Sequence, residues 1–144
     1  MRALTFVLGM LAALAAPACA QDARHRLLIH VDSPDREVMV EALHNATNTI
    51  DTIRKRAGSV AVEIVANGAG TAMFVEELSP VTDEVRRIHG TYPGVVMSAC
   101  AISLAHIEAE MKRKLTVIGE ALVVPSGAVR IMELEEQRWA YLKS

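Results

Sequence analysis

The run Ser59–Ala66 (Ser-Val-Ala-Val-Glu-Ile-Val-Ala) narrows the fold more than any other stretch of the chain. It is short, rich in β-branched residues and almost continuously apolar. A strand of that kind is covered on both faces, as the strands of a parallel sheet are. The residues before it supply the expected cover. Arg26–Val31 reads as a first short strand, and Asp32-Ser33-Pro34-Asp35 stops it and starts a helix, with Ser33 as the cap and Pro34 in the first helical position. Met39, Leu43, Ala46, Ile50, Ile53 and Ala57 then recur at steps of three and four, one apolar stripe for a sheet to receive. Arg54, Lys55 and Arg56 suit the last turn, and Gly58 ends the helix.

The same alternation continues to the end of the chain. Asn67-Gly68-Ala69-Gly70 is a loop, and Thr71–Leu78 is predicted as a short helix. Ser79-Pro80 starts another helix, with Val81, Val85 and Ile88 on one side and Gly90 after it. Tyr92-Pro93-Gly94 turns into a third strand, Val95–Ala99, and Ala101–Leu115 is predicted as a helix so apolar that it is buried on more than one face or at a subunit contact. Ala121–Val124 is a fourth strand closed by Pro125-Ser126-Gly127, Ala128–Gln137 a Glu-rich helix, and Trp139–Leu142 a final edge strand. Strands alternating with helices predict a three-layer α/β domain around a mainly parallel sheet. With 51% apolar but only 3% aromatic residues, its core must be aliphatic.

The first twenty residues stand apart from this pattern. Met1-Arg2 precedes an apolar run, Ala3–Ala16, and Pro17-Ala18-Cys19-Ala20 follows with small residues framing a cleavage site. This is the pattern of a secretory signal peptide over residues 1–20, cleaved after Ala20, with a single domain over 21–144. The run of about 14 apolar residues is short of the roughly 20 that span a bilayer, so no stable membrane insertion is expected after cleavage. A periplasmic or secreted location follows. Charge is nearly balanced, 15 basic against 17 acidic residues, and no basic stripe interleaved with aromatics marks a nucleic-acid binder.

Of the two cysteines, Cys19 leaves with the leader and Cys100 remains alone, so no disulfide forms within one mature chain. Cys100 stands where the third strand gives way to a helix, within Gly94–Leu104. In open α/β sheets ligands meet the loops at the carboxyl ends of the strands. A thiol there lies beside a helix N-terminus, which favours the thiolate and lowers the pKa below the free value of about 8.5. The competing reading is a small buried hydrophobe under a strand end.

Other residues receive paired readings too. Asn67, Gly68 and Gly70 offer backbone N–H groups to an anion, or form an ordinary turn; Ser126 and Gly127 invite the same two readings. His25, His30, His44, His89 and His106 show no ligand spacing, so no metal site is expected, and no cofactor motif is present. His30 and His106 are the two that could approach the thiol. Neither a hydrolase triad nor a dithiol is apparent.

Four segments in order carry a resemblance. They are Ala42-Leu43-His44-Asn45-Ala46-Thr47-Asn48, Val65–Gly70, Ser98–Leu104, and the ending Val123–Val129 with Leu134 and Trp139–Leu142. The sequence is similar to the DsrE/DsrF-like family of small sulfur-handling proteins. In place of the Gly-Asn-Thr-Leu common after the family's cysteine it has Ala101-Ile102-Ser103-Leu104. The resemblance implies a five-stranded, three-layer α/β/α sheet of order 4-3-2-1-5, assembled as a homo-trimer or hexamer. It implies a sulfur carrier or relay that holds sulfane sulfur as a persulfide on Cys100, served by a donor or acceptor protein. The alternative is a non-catalytic oligomeric binding or assembly module in which Cys100 is structural.

Overall fold

The computed structural model describes residues 23–144. The expected leader at 1–20, with Cys19, lies outside the described residues. Five strands form one sheet: β1 (His25–Val31), β2 (Val60–Ala66), β3 (Val95–Cys100), β4 (Leu122–Val124) and β5 (Ala140–Lys143). Their order is β4-β3-β2-β1-β5 and every pairing is parallel. The helices are α1 (Arg36–Lys55), α2 (Thr82–Thr91), α3 (Ala101–Met111) and α4 (Gly127–Glu136). They lie on both sides of the sheet, so the architecture is the expected three-layer α/β/α. Among the described residues no helix is long and apolar enough to cross a membrane.

The pleat divides the core in two. Ile29, Val31, Val62, Ile64, Val95 and Met97 point to the side of α1 and α2, where Met39, Leu43, Ile50, Val85 and Ile88 meet them. Leu28, Ala61 and Val65 point the other way, to Leu134 and Trp139 from α4 and its C-terminal turn. β2 therefore has both faces covered, which is why its sequence is so continuously apolar.

Several local expectations change. Ser33 does not cap α1: its hydroxyl accepts the Asp35 N–H (3.2 Å) and donates to the Asp35 carboxylate (3.0 Å), and the helix starts only after Asp35. This is a local serine turn competing with the helix. At the other end Ala57 rather than Gly58 takes the left-handed conformation, with φ 53°. The segment after β2 is a 3-10 helix, Gly68–Phe74, starting three residues earlier than the helix expected at Thr71. Met73 and Phe74 sit at its end, wholly buried, so packing draws the chain inward directly from the strand. α2 starts at Thr82, not at the Ser79-Pro80 expected, and Gly90 lies within it. α3 ends at Met111, because Lys112 is left-handed. The expected burial of α3 on more than one face is not found within one chain: none of its residues is buried and Ile102 is 66% exposed. It leaves the strand at the rim and packs chiefly on the 3-10 helix.

Candidate functional site

At the carboxyl rim of the sheet, β3 ends on Cys100, and the same residue is the N-cap of α3. A strand that passes directly into a helix leaves its last side chain over the helix's unsatisfied N–H groups. The Ser103 N–H accordingly donates to the Cys100 sulfur at 3.4 Å. Ser103 is also placed by its own hydroxyl oxygen, which accepts the Gly68 N–H at 2.8 Å.

A second helix start closes on the same sulfur. α4 begins at Gly127, and a Cβ there would lie 2.8 Å from the Asn67 Cβ, 3.1 Å from the Cys100 Cβ and 3.6 Å from its sulfur. Only glycine lets the first turn of α4 come so close. Ser126 caps that turn by accepting the Val129 N–H at 3.3 Å. Cys100 is 4% exposed. Burial pushes its thiol up, while the Ser103 hydroxyl and the N–H groups of Gly127, Ser103 and Ile102 push it down; the donors prevail and the thiol lies below its ordinary value. These donors are neutral, so the thiolate is favoured by orientation rather than by a neighbouring cation.

Asn67 follows directly on β2, one step beyond the Ala66–Ala99 pair, and so stands beside Cys100 in the register. Its side-chain oxygen accepts from His30 Nε2–H at 2.8 Å, and in the neutral ring this leaves His30 Nδ1 to accept the Tyr141 O–H at 2.7 Å. The rim thus runs Tyr141, His30, Asn67, Cys100 across β5, β1, β2 and β3. His106, by contrast, pairs along α3 with Glu110 at 3.3 Å.

The loop amides suggested as anion ligands have partners inside the fold. Asn67 N–H donates to Val31 O, Gly68 N–H to Ser103, and Gly70 N–H to Asp32 O. Gly68 has φ +52°, a conformation that suits glycine, and Gly70 lies against the end of β1. Gly127 lies against Cys100 and Asn67, Gly68 is tied to Ser103, Ser126 caps the turn that starts at Gly127, and Gly70 anchors the loop behind them. A shallow groove of about 540 Å³ between α1 and the β1–β5 edge, bordered by Arg24, Ile53 and Arg138, does not include Cys100 among its walls. Among the described residues no group of His, Cys, Asp and Glu could hold a metal.

Sequence reasoning missed Ser103, whose signal was its position three residues after a helix-opening residue, where capping partners sit. It also missed the Glu63 cluster described below, whose one trace was a lone charge inside an apolar strand.

Fold and rim together define a three-layer α/β/α protein with a buried, thiolate-favouring cysteine at the carboxyl ends of its strands. No family model and no curated protein matches the sequence. Among solved structures the chain is similar to MTH1491, a protein of unknown function from Methanobacterium thermoautotrophicum. The TM-score is 0.70 at 23% identity, covering 83% of this chain and 99% of that one. At that identity the likeness is one of fold.

Proposed function

We propose that the protein is an exported DsrE-like sulfur carrier with Cys100 as the sulfur-bearing nucleophile. The observation that carries this reading is the geometry at Cys100, where the Ser103 N–H donates to the sulfur at 3.4 Å and the first turn of α4 closes on it at Gly127, with the thiol held below its ordinary value. The Cys100 thiolate attacks the outer sulfur of a donor persulfide; a new S–S bond forms and the donor leaves as its thiolate. In the hand-over an acceptor thiolate attacks that same outer sulfur and Cys100 leaves as thiolate. Electrons balance in each step, and the same N–H groups that favour the free thiolate also favour it as leaving group. The leader-like composition of residues 1–20 supports the exported location.

Incubation with a sulfane donor is expected to add one sulfur's mass to the purified protein, and the Cys100→Ser variant is expected to gain none. A wild-type protein that stays unmodified overturns the carrier reading.

The 4% exposure of Cys100 favours a second reading, an assembly module in which the thiol is a packing residue. Exposed apolar side chains on the edge strand and on α4, among them Leu122, Val123, Val129 and Met132, support self-association in either case. Under the second reading Cys100→Ala leaves ligand binding and assembly unchanged and costs only stability.

A further inference from the structure

On the α4 side of the sheet, one carboxylate sits where the hydrophobic core would otherwise continue. Glu63, in the middle of the central strand β2, is 1% exposed. Each of its oxygens has a partner. Arg130 of α4 grips it as a fork, Nε to Oε1 at 2.8 Å and Nη2 to Oε2 at 2.7 Å. The Ser98 hydroxyl of β3, itself 1% exposed, donates to Oε1 at 2.8 Å. A buried ion pair of this kind is weak evidence for stability, because an apolar set of the same volume often serves as well. Its placement matters more than its strength.

Ser98 lies two residues before Cys100 and on the same face of β3, and Arg130 lies three residues, nearly one turn, after Gly127. The two arms of Glu63 therefore reach the strand that carries the thiol and the helix whose first residue closes on it. We propose that Glu63 is the positioning residue of the Cys100 site, its buried carboxylate holding β3 through Ser98 and α4 through Arg130 so that Gly127 stays against the sulfur. The inference rests on the carrier reading of Cys100. It explains why a charge is kept inside β2. Neutral donors act only over a narrow range of distance and angle, and the strongest influences on this sulfur are burial and such donors. Among the described residues, Glu63 forms its ion pair with Arg130, and Arg130 in turn pairs at 3.6 Å with the surface residue Glu133.

The test is a pH titration of the Cys100 thiolate by its ultraviolet absorbance in the full chain, taken as the difference from Cys100→Ser, so that a buried sulfur is still read. Arg130→Lys, which keeps the charge but loses the fork, is expected to move the midpoint up by about one pH unit, the scale of one lost hydrogen bond to a charged sulfur. In Glu63→Gln the freed Arg130 charge opposes that rise, so a smaller upward shift is expected and a downward one overturns the role. Ser98→Ala, which removes one arm alone, is expected to move it less. Ile88→Val, which weakens the core on the opposite face, is expected to leave it in place. Should Glu63→Gln fail to fold, Arg130→Lys and Ser98→Ala carry the test. A low wild-type midpoint that none of these variants moves overturns the positioning role and leaves the carrier reading standing. A wild-type midpoint at the ordinary thiol value overturns both. A shift equal in Ile88→Val and Glu63→Gln also overturns the role, since general loosening then accounts for it.

Discussion

Gly70 shows how tightly the rim is built. A Cβ on it would lie 2.4 Å from Val31 O and 2.9 Å from the Asp32 Cα, both backbone atoms that cannot swing aside. Gly70→Ala is therefore expected to destabilise the fold by about 1–3 kcal/mol, the usual cost of overpacking, read as a lower urea midpoint at unchanged slope. Gly90, inside α2 with nothing within 4 Å of its missing Cβ, is the control. Gly90→Ala should instead stabilise by about 0.5–1 kcal/mol. A midpoint unchanged by Gly70→Ala would mean that the end of β1 gives way. Both residues read alike in sequence, as glycines near turns. Only the approach of a strand far away in the chain separates them.

Among the elements, β4 and α3 depart furthest from what their composition suggests. β4 is three residues long, pairs with β3 alone, and exposes Leu122 at 58% and Val123 at 53%. An apolar edge strand invites pairing with another chain, and self-association through this edge is the occupant proposed above. A Leu122→Lys/Val123→Glu double variant is expected to lower the molar mass in sedimentation equilibrium to that of one chain, while its circular dichroism stays that of the parent. A parent that already sediments as a monomer would refute assembly through β4. The five strands and four α-helices were legible in order, because strand and helix periodicities differ and α1 carries a clear stripe, whereas α3 buries none of its residues and the segment after β2 is a 3-10 helix. The boundaries that moved are those set by competing local bonds, as at Ser33 and Asp35, or by a distant core, as at the 3-10 helix.

At the scale of the whole molecule, the last strand is tied to its neighbour β1 by charge as well as by the sheet's hydrogen bonds. Lys143 of β5 donates to the Asp32 carboxylate just past β1 at 2.7 Å. The Lys143 hydrogen bond holds the Asp32 carboxyl below its ordinary value of 3.8, and Asp32 in turn holds Lys143 above 10.5. The Asp32 contribution to stability is thus fully present above its unfolded pKa and is lost as pH falls through the lowered value. The Lys143 contribution is present below its unfolded pKa and is lost as pH rises through the raised one. Both side chains are partly exposed, so salt screens the pair. The pH dependence of the urea midpoint between pH 5 and 3 is expected to be shallower in Asp32→Asn than in the parent, and the difference to shrink in high salt. Equal slopes at low salt would show that the pair does not hold β5 in solution.

The sequence alone determined the alternation of elements, the parallel sheet, the aliphatic core and the place of Cys100 at a strand-to-helix joint, because each depends on neighbours within a few residues. The tertiary structure alone decided which groups meet that thiol. Gly127 reaches it across 27 positions, Glu63 binds Arg130 across 67 and His30 binds Tyr141 across 111. Such meetings are set by strand order and register, and no local periodicity encodes them. The thiol's burial was open in the sequence for the same reason: it depends on how closely a second helix can approach, and here a missing side chain at Gly127 allows it.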